Sequence, residues 1–308
     1  MLRFCISRFL QGILVIFAVL AITFVIMHAA PGDPFMVEGK QIPANVKARR
    51  MEQRGLDKPL IVQFWRHIRN YAVFDMSTSA TYEGVPVDEV IREAFPVSLS
   101  IGLPALAIAL ALGVPLGALA AIRPNTLQDR LATVASTMGV CVPSMVLGPL
   151  LALYFGLHRR WFNAAGWNDP TDWILPSVTL GIISSAYIAR LMRGSLRETL
   201  AQEFIRTARA KGASEAVVIF RHSLKLACLP VLNYLGPAAA MIITGSFVVE
   251  NVFQIPGLGQ HFVSSAKNKD YELAMGITAF FATLIMGFNF IVDVIQAMLN
   301  PRIGLNHE

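Results

Sequence analysis

The ionisable residues that read as lying inside or beside the apolar runs of this sequence are Glu250 and Asp293. They fall near opposite ends of the last two runs, so they cannot act as the paired carboxylates of general acid–base catalysis. A carboxylate within a membrane is by default a functional candidate. Here both lie close to a run's edge, and structural roles are expected for both. Cys5, Cys141 and Cys228 have no histidine at a metal-ligand spacing, and the six histidines are scattered, so neither a metal site nor a disulfide framework is expected. No G-x-x-x-x-G-K-[ST] loop occurs. If nucleotide powers this protein, a separate subunit must bind it.

One polar stretch stands out, "EFIRTARAKGASEAVVIFRH" from Glu203 to His222. From Gly194 onward, Leu196, Leu200, Phe204 and Ala208 recur every four residues with Ile205 alongside, while Arg197, Gln202, Arg206 and Arg209 take the other face. That spacing predicts an amphipathic helix. Gly212 is placed to stop it, and Ser214 and Glu215 are placed as N-cap and first-turn acid of a second helix. A solvated basic loop and a helix lying on anionic lipid are the alternatives on composition alone.

The elements that must position this stretch are apolar. Of 308 residues, 55% are hydrophobic and 15% charged, against about 25% charged in an ordinary soluble domain. Uncharged runs extend over 9–27, 97–122, 131–157, 173–189, 226–249 and 273–292. Each suits the roughly 17–25 residues of a membrane-spanning helix, so six spans are expected. The first is too long for the core of a secretory signal and is read as a retained helix. Lys and Arg of the short loops place the N-terminus, residues 123–130, the cluster Arg190–Lys225 and Arg302 on the cytoplasmic side, with both termini cytoplasmic. The net charge of +6 is thus a topology signal, with no nucleic-acid partner implied.

Residues 31–95 carry nine basic and nine acidic side chains and read as a small soluble layer outside the membrane. Within it, "PANVKARRMEQRGL" predicts a short helix closed by Gly55. A second helix is expected over "DKPLIVQFWRHIRNYAV" with Pro59 in its first turn, and Leu60, Phe64 and Ile68 as the face to bury. In "GVPLG", Gly113 and Gly117 permit close helix approach, and prolines at 104, 115, 143, 149, 176, 230 and 237 fall inside or at the edges of runs.

"RTARAKG", followed by "FRH" and "CLP", resembles the cytoplasmic loop of ABC-importer permeases, whose general pattern is Glu-Ala-Ala, three residues, then glycine. Arg206, Thr207 and Ala208 stand in the first three slots and Gly212 in the glycine slot. The departures from Glu-Ala-Ala, and the downstream placing of Leu229–Pro230, are those of the peptide and nickel branch. "APGDP" at 30–34, "PGLGQ" at 256–260 and "KDY" at 269–271 match that branch in order, as does "PVLNYLGPAAAMIITGSFVVE" at 230–250, which is similar to B-type oligopeptide permeases.

The resemblance implies an all-α membrane protein with the type I ABC-importer permease fold. Its parts would be a cytoplasmic N-terminus and first helix (1–30), a mainly helical extracytoplasmic domain (31–95), a five-helix core (96–300) containing a cytoplasmic coupling loop (194–228), and a cytoplasmic tail (301–308). It further implies a bacterial inner-membrane location, a C-type permease partner, two ATPase subunits that bind ATP and Mg, and an external peptide-binding protein, with no cofactor on this chain. Phe204, Ile205, Arg206, Thr207, Ala208, Arg209, Lys211 and Gly212 would dock on the ATPase, and Pro256, Gly257, Gly259 and Asp270 form the external motif. Dipeptide, glutathione and nickel cargo stay open within the branch. A secondary transporter would need charges near the membrane midplane, and a membrane hydrolase would need a catalytic set that these residues do not assemble.

Overall fold

The computed structural model describes residues 2–29, 49, 51–52, 55–73, 75–82, 84–244 and 246–299. Helix α1 is Leu2–Ala29, α2 Leu60–Ala72 and α3 Val87–Ile122. α4, Leu127–Cys141, is followed by α5, Ser144–Leu151, which runs on into π-helical turns over Ala152–His158. α6, Ile174–Leu200, leads to the short α7, Glu203–Ala210. Next come α8, Glu215–Val217, a π-helical stretch Val218–Ser223, α9, Leu224–Ala227, and α10, Leu229–Ile243. α11, Phe247–Val252, α12, Leu258–Lys267, and α13, Tyr271–Leu299, follow. The "APGDP" segment, most of the expected helix before Gly55, Arg302 and the tail 301–308 lie outside the described residues.

Among the described residues, five segments are long and apolar enough to cross a membrane: α1, α3, α6, α10 with α11, and α13. The expected third span is not one straight helix. Its run is divided into α4 and α5, which meet at 101°. The cause is local. Pro143 has no N–H for the helical ladder and drives the residue before it out of the helical region, and Val142 is extended at φ −82°, ψ 115°.

Among the described residues α3 and α6 form the most extensive helix pair. A side chain at Gly113 would collide with Ile188 and the Ser185 carbonyl, and one at Gly117 with the Ala189 carbonyl and Met192. The two glycines thus serve the close approach expected of their four-residue spacing. Ser177 Oγ on α6 donates to the Ile101 carbonyl of α3 at 2.9 Å, tying the far end of the same pair. Ile188, Met192 and Leu196 of α6 are buried with Ala109 and Ala121 of α3, Ala227 of α9 and Val231 of α10.

α2 packs Phe64, Ile68 and Tyr71 against Leu20, Phe24, Met275 and Ala279 of α1 and α13. The burial of Phe64 and Ile68 follows their spacing, but Leu60 is 56% exposed. Polar residues take its place on the inner face. Gln63 Nε2 donates to the carbonyls of Lys58 (2.7 Å) and Leu56 (3.2 Å), tying down the chain that enters the helix. His67 Nδ1 lies 3.2 Å from a Glu272 carboxylate oxygen at the start of α13.

Candidate coupling surface

α6 continues unbroken to Leu200, so the helix expected from Gly194 to Gly212 is two helices. Ala201 and Gln202 donate their N–H groups to Glu198 and Thr199, each at 3.2 Å, which tightens the end of α6. Gln202 is then extended (φ −72°, ψ 153°), and its carbonyl starts α7 by accepting from Ile205 N at 3.1 Å. The four-residue repeat is split accordingly. Leu196 and Leu200 belong to the buried side of α6, whereas Phe204 is exposed and Ala208 half-buried. Ile205 has no exposed surface and anchors α7 to the fold.

Gly212 ends this unit at φ +84°. Ala213 N donates to the Ala208 carbonyl at 3.2 Å, and Gly212 N to the Arg209 carbonyl at 2.9 Å, the bonding of a left-handed helix stop. Nothing lies within 4 Å of where a side chain at Gly212 would begin, so only the backbone angle calls for glycine there. Ser214 sits at the N-cap of α8 but makes no side-chain cap bond. Glu215 instead reaches back across the turn, accepting from Arg209 Nε at 2.7 Å and Nη2 at 3.0 Å. The Arg209 guanidinium holds the Glu215 carboxyl below its ordinary range, and the carboxylate holds the guanidinium above its own. Both are solvent-exposed, so this fork adds shape to the turn more than stability. The outer surface of the unit carries Phe204, Arg206, Thr207, Arg209, Lys211 and Gly212, with Glu203 and Ala210 beside them, so three cations outnumber the one acid.

Behind this surface lies a tie that the sequence reading missed. Asp129, buried in the first turn of α4, accepts from Arg193 Nε at 2.6 Å and Nη2 at 3.2 Å, joining α4 to α6. Asn125 N donates to the same carboxylate at 2.9 Å. Asp129 lies within a run boundary where the only visible signal was its acidity beside Arg130. At the same end of the bundle Asp293 is paired with Arg8, Nε to Oδ2 3.2 Å.

At the opposite end, each fragment of the expected external motif encloses a carboxylate. Glu250, 2% exposed, accepts from Ser98 Oγ at 2.9 Å and from Gln260 N at 2.9 Å, while Ser98 Oγ accepts from Leu258 N at 2.8 Å. A carboxylate is favourable at a helix N-terminus, and Glu250 so caps α12. Gly257 and Gly259 are buried and Pro256 is exposed. The buried Asp270 accepts from Ser79 Oγ (2.5 Å), Ala80 N (2.7 Å) and Thr81 N (2.9 Å), and from Leu273 N (3.1 Å) in the first turn of α13. It thereby pins the loop before α3 to the last helix. Glu250 and Asp293 are at opposite ends of the fold, as their positions in the sequence imply, and each has its own partners.

A family model described as "Binding-protein-dependent transport system inner membrane component" matches residues 113–305, and its N-terminal companion matches residues 1–102. The chain is 42% identical over 305 residues to the oligopeptide transport system permease protein OppB of Haemophilus influenzae, covering 98% of this chain and 99% of that one. It is 40% identical to OppB of Escherichia coli K12 over 305 residues, with the same coverage. It is 37% identical over 311 residues to the dipeptide transport system permease protein DppB of Bacillus subtilis, covering all of both chains. Among solved structures, an inward-facing MetNI methionine ABC transporter superposes with a TM-score of 0.56 at 17% identity, over 68% of this chain and 96% of that one. An amino acid ABC transporter superposes with a TM-score of 0.53 at 19% identity, over 68% and 94%. The helical fold is therefore shared with ABC-importer permeases.

Proposed function

The chain belongs to the family of binding-protein-dependent transport system inner membrane components, and from that premise we propose that it is the oligopeptide permease subunit of an ATP-driven importer. The observation that carries this reading is the likeness to oligopeptide permeases along 98% of the chain. In the assembly this subunit forms half of the path and pairs with a C-type permease. Two cytoplasmic ATPases bind ATP and Mg, and an external protein delivers the peptide. Both termini are cytoplasmic in this reading, which agrees with the basic short loops.

Within that assembly, residues 194–228 meet an ATPase. Phe204 supplies the apolar contact, Arg206, Arg209 and Lys211 the polar ones, with Thr207 and Ala208 between them. Ile205 faces the other way, holding α7 on the fold, and the Gly212 turn lets the next helix return. A short helix fixed at both ends passes on a displacement, where a solvated loop would absorb it. Closure of the ATPases therefore reaches the membrane helices through α7.

Reconstitution of the chain with its companion subunits tests this. Proteoliposomes should take up a labelled tri- to pentapeptide only with ATP inside and binding protein outside. Uptake without ATP would overturn the importer reading, and uptake of dipeptide alone would reassign the cargo.

A further inference from the structure

The segment between the first two spans reads in sequence as a layer outside the membrane, yet α2 lies beside the membrane-spanning part of α1. The Phe64 ring is 5.4 Å from that of Phe24 and 5.5 Å from that of Phe17, and the Trp65 ring is 6.1 Å from Phe17. At about 1.5 Å per residue, Phe24 lies ~8 Å and Phe17 ~18 Å below the Ala29 end of α1. The two rings therefore sit beside apolar helix, well below its end.

The outward side of α2 mixes apolar and cationic residues. With about 3.6 residues per turn, Ile61, Trp65 and Arg69 follow one another four apart along one stripe, so the apolar end of the stripe leads into a cation one turn past Trp65. Ile61 is 68% and Trp65 57% exposed, an unusual density of free apolar surface for a helix in water. Ile61 also lines a hollow of about 380 Å³ with Phe24 and Val25 of α1, so the apolar edge is continuous with the exposed face of the spanning helix.

We propose that α2 lies in the membrane interface on the side opposite α7, with Ile61 and Trp65 against phospholipid acyl chains and the exposed Arg69, next along the same stripe, toward the headgroup phosphates. A tryptophan followed one turn later by an arginine is the composition of such an interface, where an amphipathic ring and a long cationic side chain span from hydrocarbon to water. The ~8 Å depth of Phe24 falls within the about 5–10 Å over which interfacial helices bury their apolar face, and the contacts with Phe17 carry the apolar side of α2 further down α1. The occupant is lipid because the stripe continues a spanning helix's exposed surface, and Arg69 at its end complements phosphate. Through His67–Glu272 and the Phe64 contacts, this seat bears on α13 and α1.

The test uses the assembled transporter in liposomes, with Cys5, Cys141 and Cys228 replaced by serine. Ile61→Cys is labelled with bimane, with Val25→Cys on α1 as the lipid reference and Lys267→Cys as the aqueous one. Doxyl-labelled phosphatidylcholine should quench the Ile61→Cys label by about half, as at Val25→Cys, because both then lie near the acyl boundary. Iodide should quench it no more than at Val25→Cys. Quenching by iodide and not by lipid would overturn the proposal, and shielding from both would show a protein partner in place of lipid. Leu60→Cys, one residue away and also exposed, repeats the measurement should Ile61→Cys fail to assemble.

Discussion

Gly257 lacks a side chain because the Glu250 carboxylate fills the space where one would begin. The contact joins the end of α11 to the start of α12, and it makes glycine at this position a packing requirement. Gly257→Ala should push the carboxylate off Ser98 and Gln260, at about 1–3 kcal/mol, the usual cost of overpacking. Glu250→Ala should cost about 1.5–3 kcal/mol for each charge-assisted bond lost. Thermal midpoints of the purified permease, read by fluorescence-detected size exclusion, check both. A Gly257→Ala midpoint equal to that of the parent protein would mean Glu250 has somewhere else to go.

Neighbouring residues of α7 should separate stability from coupling. Ile205→Ala removes a fully buried side chain and should destabilise by about 2–5 kcal/mol. Phe204→Ala alters an exposed one and should leave the midpoint unchanged while lowering peptide-stimulated ATP hydrolysis in proteoliposomes. The reverse pattern would remove Phe204 from the docking surface.

A ladder at Gly212 distinguishes backbone strain from contact with the ATPase. The left-handed angle costs most residues about 1–2 kcal/mol, and asparagine and aspartate less. Since the space around Gly212 is open, Gly212→Asn should keep most of the stimulated hydrolysis and Gly212→Val should lose it. Gly212→Asp fits the same backbone, so its expected loss of coupling reports the added negative charge at the partner's surface. Equal loss in all three would place the partner directly on the glycine.

The tie between Asp129 and Arg193 is short and forked. Asp129→Ala should lower the thermal midpoint, and the exchange Asp129→Arg with Arg193→Asp should recover part of it. A double variant no better than the worse single one would show that the Asn125 N–H and the local turn, more than the ion pair, decide the site.

Acid sensitivity should be visible at Asp172. Burial would raise its pKa, but the N–H groups of Asp169 and Asn168 and the Asn163 amide together outweigh burial and hold the carboxyl below the usual carboxylate range. A folded pKa below the unfolded value, about 3.9, stabilises fully above that value and ceases to do so as pH falls through the folded one. Asp172→Asn should therefore be less stable than the parent at pH 7, with the two melting curves converging below about pH 4. A gap that widens on acidification would contradict the sign.

Membrane-crossing runs and the Gly212 stop were legible because both are local: length and apolarity for the first, one residue's backbone freedom for the second. The bend at Val142–Pro143 was hidden by a run equally apolar on both sides, although its proline was in plain view. The break at Ala201–Gln202 has no glycine or proline to announce it. Pairings such as Asp270 with Ser79 and Asp129 with Arg193 join residues far apart in the chain, and a single sequence carries no signal of which carboxylate meets which donor. The external motif was recognised by likeness. Its physical reason, two buried carboxylates that each cap a helix, needed coordinates.

α6 runs without a break over 27 residues, about 40 Å at 1.5 Å per residue. Near one end it is clamped to α4 by Arg193, and near the other to α3 by Ser177. A strut held this way has little slack. If α7 docks on an ATPase as proposed, a nudge delivered there would not be taken up by bending along α6, and would swing the α3–α6 couple as one beam, so that a small stroke at one face of the membrane would become an angular change at the other.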